Sequence, residues 1–112
     1  MHETMVARSL MAIISEEAAK QNGKPVGAKI SCGTLNAIND EILCFAFEAI
    51  AKDTPCEGIK LDIEHKPLRA RCKSCSRDFD VEFSHPQCPG CGGGDFELLP
   101  DAPLVLEQIE FQ

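Results

Sequence analysis

The sequence predicts an α/β (α+β) fold in which two helices pack on a small sheet and a cysteine-rich β module is inserted before the last strand. Three observations predict this fold. Apolar residues recur with helical spacing in 4–21 and 40–52, and apolar and polar residues alternate in short segments. In addition, two Cys-x2-Cys pairs lie between proline-bearing connections.

The composition limits the class of protein. The 112 residues suffice for one domain or for a small domain with an added module, and 44% hydrophobic residues are typical of a globular chain. No apolar run is long enough to span a bilayer, and the N-terminal segment lacks the pattern of a secretory signal. We therefore expect a cytoplasmic protein, in which the seven cysteines stay reduced and favour metal binding over disulfides.

Two segments have the residue pattern of helices. The first is 4–21, which Gly23 and Pro25 terminate. The second is 40–52, for which Asn39 or Asp40 is the predicted N-cap. A stripe of apolar residues on the second helix is predicted to face the core, and it consists of Ile38, Ile42, Phe45, Ala46, Ala49 and Ile50.

Three segments alternate as half-buried strands do. Residues 26–32 and 59–65 flank the second helix, and this order predicts a right-handed parallel crossover. The last candidate is "LVLEQIEF", whose apolar side is predicted to consist of Val105, Ile109 and Phe111.

The segment before this last strand has a different character. It begins after Pro67, ends at Pro100, and contains its own short alternating run. We therefore expect one domain formed by 1–67 and 100–112, and an inserted module formed by 68–99.

The module contains two pairs of metal-ligand type, Cys72-x2-Cys75 and Cys88-x2-Cys91. Each pair closes a tight turn in which both thiolates face one ion, and two such turns complete a tetrahedral site. A segment this small has little core of its own, so that the metal would supply its folding free energy. The spacing therefore predicts a structural zinc site in a zinc-ribbon-like module, with a rubredoxin-like iron centre as the alternative.

The charges leave two interpretations of the module open. The chain has a net charge of -7, yet 66–77 holds five basic residues and no acid, whereas 78–112 holds eight acids and no Lys or Arg. The basic residues either offset the negative charge of a zinc–thiolate centre or dock a partner. A nucleic-acid-binding zinc ribbon is the alternative function, although the acidic total and the lack of basic–aromatic interleaving argue against it. A metal-dependent hydrolase is a third candidate, for which no HExxH or His–carboxylate cluster is found.

The remaining cysteines and histidines do not have the spacing of metal ligands. Cys32 is expected to be a small core residue, and Cys44 and Cys56 have no ligand partner in the sequence. His65 ends a strand on its apolar side and is interpreted as structural. His85 is either a hydrogen-bond donor to a zinc thiolate or a turn residue.

Several features of the sequence together resemble those of a known protein family. "MHE" at the start, "VGAKISCGTLNAI", a helix with Glu41, Phe45 and Phe47, and the two Cys-x2-Cys pairs occur in one order. On these residues the chain resembles the HypA family of nickel metallochaperones over nearly its whole length. The resemblance implies a small nickel domain with two helices on a three-stranded sheet, together with a zinc domain.

The resemblance also implies function. It assigns nickel to Met1, His2 and Glu3, and zinc to the four cysteines Cys72, Cys75, Cys88 and Cys91. It implies a non-enzymatic carrier that delivers nickel to nickel–iron hydrogenase with a HypB-type GTPase. The implied recipients are the hydrogenase large subunit and, in some organisms, urease components; neither nucleic acid nor a membrane is expected as a partner.

The chemistry of the chain start agrees with the implied nickel site. The amine of Met1, the amide nitrogen of His2 and the His2 imidazole form adjoining chelate rings in one plane, and the amide nitrogen of Glu3 offers a fourth donor. Nitrogen-rich, square-planar surroundings suit Ni(II) or Cu(II). A site at a chain terminus can also open, as a delivery protein requires.

Overall fold

A computed structural model describes residues 2–35 and 38–112 of the chain. It contains two helices and six short strands, which confirms the predicted α+β class. In chain order these are α1 (Glu3–Gln21), β1 (Pro25–Gly33), α2 (Asp40–Ala51), β2 (Lys60–Lys66), β3 (Arg69–Cys72), β4 (Asp78–Asp80), β5 (Phe96–Leu98) and β6 (Val105–Phe111).

The first sheet has β1 at its centre and the order β2-β1-β6. β1 pairs with β2 in parallel, with Ile30 opposite Ile63, so the predicted parallel pairing is confirmed. β6 returns from the far end of the sequence and pairs with β1 in the antiparallel direction. β3, β4 and β5 lie between β2 and β6 in the chain and form a second sheet.

Both helices contribute to one apolar core against the sheet. α1 buries Val6, Leu10 and Ile14, at a helical spacing that places them on one face. From β1 the core receives Ala28, Ile30 and Cys32, and partly buried residues of β2 and β6 pack around it. Cys32 is fully buried, as the alternation of its strand predicts.

The predicted core face of α2 is wrong in part. The helix begins as expected, with the Asn39 side chain accepting a hydrogen bond of 3.0 Å from the amide of Ile42. Its buried residues, however, are Leu43, Phe47 and Ala51, whereas Ile42 and Phe45 are exposed. The helix is apolar on two faces, and the sequence pattern alone does not distinguish which of the two packs on α1 and the sheet.

The predicted apolar side of β6 also needs correction. The register against β1 shifts between Lys29 and Ile30, so that Leu106 and Ile109 both reach the core. Val105 lies opposite Ser31 and is exposed. A β-bulge adds a residue to one strand, so strict alternation does not carry through it.

The second sheet is small and has the order β4-β3-β5. Its core consists of Ala70, Cys72, Phe79 and Cys88, with Val81 and Phe96 partly buried beside it. The rings of Phe79 and Phe96 meet edge to face at 5.6 Å. Of the predicted alternating run in this segment, Phe79 is buried, whereas Phe83 is exposed.

Within the described ranges, neither helix has the combined length and apolar character that crossing a bilayer requires.

The two phenylalanines of α2 provide a matched pair for the corrected core face. Phe47 is 2% exposed and Phe45 is 74% exposed. We expect Phe47→Ala to lower the free energy of unfolding by about 3–5 kcal/mol, because it opens a cavity in the core. Phe45→Ala should change it by less than about 0.5 kcal/mol. Urea unfolding of the zinc-saturated variants, followed by helical circular dichroism, measures both, and equal losses would contradict this assignment of the core face.

Candidate metal centres

Four cysteine sulfurs converge in the second sheet. The Sγ atoms of Cys72, Cys75, Cys88 and Cys91 all lie within 4.8 Å of one another. The closest approaches are 3.5 Å between Cys72 and Cys91, and 3.6 Å between Cys75 and Cys88. Four sulfurs at about 2.3 Å from a tetrahedral ion are separated by about 3.8 Å, so the donor set fits one ion of zinc size.

The two Cys-x2-Cys turns have the same backbone pattern. In the first, the amide of Ser76 donates to the carbonyl of Cys72, and the amide of Cys72 donates to the carbonyl of Arg77. In the second, Gly92 and Gly93 take the corresponding positions relative to Cys88. The fifth residue of each turn has a positive φ, which is +63° at Ser76 and +74° at Gly92. Each turn therefore holds its two thiols in the same local geometry.

Backbone amides within the turns stabilise thiolates. Hydrogen bonding from the amides of Cys75 and Ser74 lowers the pKa of Cys72 to about 6. The amide of Cys91 likewise lowers the pKa of Cys88. The other two thiols behave oppositely. Although the amide of Gly93 acts to lower it, hydrogen bonding to the neighbouring sulfurs raises the pKa of Cys91 to about 11. The turns therefore favour the thiolate at Cys72 and Cys88, whereas the neighbouring sulfurs favour the protonated thiol at Cys91.

The basic stretch of the module is largely neutralised by the acids that follow it. Arg69 pairs with Asp80, and Arg71 pairs with Asp78 at 2.8 Å from its Nε. Lys73 lies 3.8 Å from the carboxylate of Asp95. These pairs link β3 to its neighbours and leave little unpaired positive charge.

Arg77 is the basic residue that reaches a cysteine turn. Its guanidinium lies against Gly90, where an added Cβ would come within 2.6 Å of Nη1. Gly90 lies between Cys88 and Cys91 in the chain, so Arg77 adds positive charge beside the second cysteine turn. Of the two interpretations of the basic stretch, the charge-offsetting one fits Arg77, and the salt bridges account for the others described above.

The first residues of the chain form the start of α1. His2 is the N-cap residue, its side chain makes no capping hydrogen bond, and it is exposed. The first helical hydrogen bond runs from the amide of Val6 to the carbonyl of His2. The amides of His2 and Glu3 thus precede the intrahelical bonds. Met1, the third predicted nickel ligand, lies outside the described residues.

His85 lies beside the second cysteine turn but contacts backbone. Its Nδ1 is 2.5 Å from the carbonyl oxygen of Ser84, and the residue is exposed. Together with Asp80, Glu82 and Cys88, it lines a surface pocket.

A chain of polar contacts around His65 was not predicted from the sequence. Its Nε2 lies 2.6 Å from the carboxylate of Asp40, and its Nδ1 lies 3.5 Å from the thiol of Cys32. Because a carboxylate only accepts, Nε2 carries a proton, and in the neutral imidazole Nδ1 is then able to accept from the thiol. Burial, together with the charges of Asp40 and Asp101, raises the pKa of Cys32. A neutral thiol that is 0% exposed is no nucleophile, so this arrangement is structural and does not support the hydrolase interpretation.

The two remaining cysteines lie apart from the four-sulfur cluster. Cys56 is buried, with its Sγ 3.3 Å from the hydroxyl of Ser15 on α1. Cys44 is half-buried on α2, where burial and the charges of Asp40 and Glu48 raise its pKa. No sequence spacing marks Cys56 as buried, because it lies in a loop.

Comparison with known proteins assigns this combination of features to one family. The family model described as "Hydrogenase/urease nickel incorporation, metallochaperone, hypA" matches residues 1–111. The hydrogenase maturation factor HypA of Solidesulfovibrio magneticus is 38% identical over 117 aligned positions, covering 100% of both chains. That of Francisella philomiragia is 33% identical over 112 positions, covering 99% of each.

A solved structure has the same fold. The solution structure of the Ni metallochaperone HypA from Helicobacter pylori matches with a TM-score of 0.63 and 25% sequence identity. The match covers 99% of this chain and 97% of that one.

The four cysteine thiols differ in pKa, and this difference predicts how many protons are released when zinc binds. Zn(II) binds thiolates, so binding to the metal-free protein at pH 7 should release fewer than four protons, because the pKa of Cys72 is held at about 6 and that of Cys88 is lowered. Titration calorimetry in buffers of differing ionisation enthalpy measures this number. Affinity should rise with pH, because the protons compete with the metal. Release of about four protons would contradict the amide-stabilised thiolates.

Proposed function

The chain belongs to the HypA family of nickel-incorporation metallochaperones, and from that premise we propose that it carries Ni(II) at its N-terminus and delivers it to nickel–iron hydrogenase. The proposed nickel donors come from Met1, His2 and Glu3. The observation that carries the proposal is the state of His2, whose exposed imidazole and amide are both free of helical bonding.

Because the proposed nickel site lies at the start of a helix, it must supply negative charge to bind a cation. The N-terminal end of a helix carries partial positive charge, which repels a bare cation. Deprotonation of the two amides to which the metal binds supplies two negative charges, and the carboxylate of Glu3 in the first turn adds a third. The amides of His2 and Glu3 can bind metal without breaking an intrahelical bond.

For the four-cysteine cluster we propose a structural zinc ion held by Cys72, Cys75, Cys88 and Cys91. Four protein ligands leave no open position for catalysis, so the ion would supply folding energy alone. We propose that 68–99 form this zinc module, and that 1–67 with 100–112 form the nickel domain. His85 lies near the second turn and is proposed at most to orient it.

We propose that the protein acts as a carrier and not as an enzyme, in the cytoplasm, where it meets its partners. The proposed partners are a HypB-type GTPase and the hydrogenase large subunit, with urease components as further recipients. This proposal rests on the family, whose description names both hydrogenase and urease nickel incorporation.

The alternative of a nucleic-acid-binding zinc ribbon is weakened by the salt bridges of the module. Nonspecific nucleic-acid affinity comes from cations that are free to displace counterions from phosphates. Arg69, Arg71 and Lys73 already pair with acids of the same sheet region.

Removal of one proposed zinc ligand tests the structural role. Cys88→Ser should lose zinc and disorder residues 68–99, because the buried core of the module contains two of the ligands. The signals of α1 and α2 should persist. Metal analysis and backbone NMR check this, with Cys44→Ser as the matched control that should keep its zinc. A Cys88→Ser protein with one zinc per chain and native dispersion would refute the assignment.

The nickel site is tested at the chain start. A residue added before Met1 should weaken nickel binding about 10-fold or more, because it removes the terminal amine while His2 stays unchanged. His2→Ala should abolish binding. In the unmodified protein, affinity should rise with pH, because the amine and amides must lose protons.

Calorimetry on zinc-loaded proteins decides this prediction. His85→Ala serves as the control and should bind nickel as the unmodified chain does. Equal affinity in the native and extended proteins would overturn the terminal-amine site and leave His65 or His85 as the next candidates.

A further inference from the structure

The face of α2 that points away from the core is apolar and uncovered. Phe45 is 74% exposed and Ile42 is 52% exposed, and Ala49 is exposed one turn further along. Large apolar side chains scattered singly on a surface are ordinary, but here two of them, together with Ala49, follow one another at a helical spacing and form a continuous ridge. The opposite face of the same helix, with Leu43 and Phe47, packs in the core.

The spacing of this ridge is that of a coiled-coil seam. Ile42, Phe45 and Ala49 occupy successive a, d and a positions of a heptad. Glu41 and Glu48 then fall at the two g positions, which line one edge of the seam seven residues apart. Positions e and g select the partner of a helix by charge.

Among the described residues, neither edge glutamate is neutralised by an ion pair, so both can contact a partner. Over 2–35 and 38–112, no basic side chain lies within ion-pair distance of Glu41 or Glu48, whereas Glu16 and Glu17 on α1 pair with Lys20. The negative charge of Glu48 also acts on the pKa of neighbouring Cys44, which it helps to raise. The edge of the seam therefore presents unneutralised carboxylates.

The charges exclude a second copy of this chain as the natural occupant. In an antiparallel pair the g positions face each other, so that Glu41 and Glu48 would meet the same glutamates. In a parallel pair they face e positions, of which α2 contains only Ala46. Neither pairing puts a cation opposite Glu41 or Glu48, and Lys52, the next d position in the sequence, lies beyond the end of α2.

We propose that α2 is the docking ridge for an amphipathic helix of another protein, one with an aliphatic seam and Lys or Arg along one edge at heptad spacing. The aliphatic seam covers Ile42, Phe45 and Ala49, and the cations pair with Glu41 and Glu48. This surface shares no residue with the proposed nickel site, so the proposal does not depend on nickel binding.

The test uses the nickel-free, zinc-loaded full chain and three fluorescent helical peptides of equal length. The peptides share one leucine–isoleucine seam and carry Lys, Gln or Glu at the edge positions. We expect the Lys peptide to bind about 10-fold tighter than the Glu peptide at low salt, with NMR shift changes on α2. Phe45→Ser should weaken it about 10-fold. The E41Q/E48Q double variant should bind the Lys and Gln peptides equally.

Matched controls come from the module. Phe83→Ser removes another exposed aromatic side chain, and Glu82→Gln another exposed acid, and both should bind the Lys peptide as the unmodified chain does. His2→Ala should also bind it, which separates this result from the nickel proposal. Equal binding of the Lys and Glu peptides, or a Phe83→Ser loss equal to that of Phe45→Ser, would overturn the proposal. So would sedimentation showing a dimer that Phe45→Ser dissociates, since the ridge would then bind a second copy.

Discussion

The hydrogen bonds at the end of β1 hold both connections of the inserted segment. The hydroxyl of Thr34 donates to the carbonyl of Lys66, where the chain leaves the first sheet, at 2.9 Å. The amide of Gly33 donates to the carbonyl of Ala102, where the chain returns, also at 2.9 Å. The carboxylate of Asp101 lies over Gly33, where an added Cβ would meet it at 2.2 Å. A side chain at position 33 would therefore displace the Asp101 carboxylate, which accepts a hydrogen bond of 2.8 Å from the amide of Leu35.

This junction sets the conditions under which the second sheet folds. β6 reaches β1 only after the chain has passed through β3, β4 and β5, so the segment is a loop whose ends the first sheet fixes. Its own buried core is only four residues, of which Cys72 and Cys88 are two. Half of this small core consists of metal ligands, so the free energy gained from apolar burial alone does not offset the conformational entropy lost on folding. The proposed zinc ion then acts as the centre of that core and not as an addition to it.

Much of the fold and of the four-cysteine cluster could be predicted from the sequence, because those features depend on local spacing. The alternation of apolar and polar residues predicted β1 and β2, and the spacing of the Cys-x2-Cys pairs predicted the cluster. The prediction of the buried face of α2 was wrong in part, because apolar residues occupy both faces, and only packing against α1 and the sheet selects Phe47 over Phe45. Likewise, the bulge that exposes Val105 and the contacts of His65 depend on register between distant segments, for which the chain carries no local signal.

The two proposed metal sites differ in how much of the folded structure depends on the bound metal. The cluster lies within backbone turns that lower the pKa of Cys72 and Cys88, and both residues belong to the buried core of the module, so losing the ion would cost the fold of the module. His2 precedes the first helical bond, and its side chain caps nothing. Loss of a metal there leaves every bond of α1 in place. Because release then carries no folding cost, the same short chain can retain one metal permanently and surrender the other.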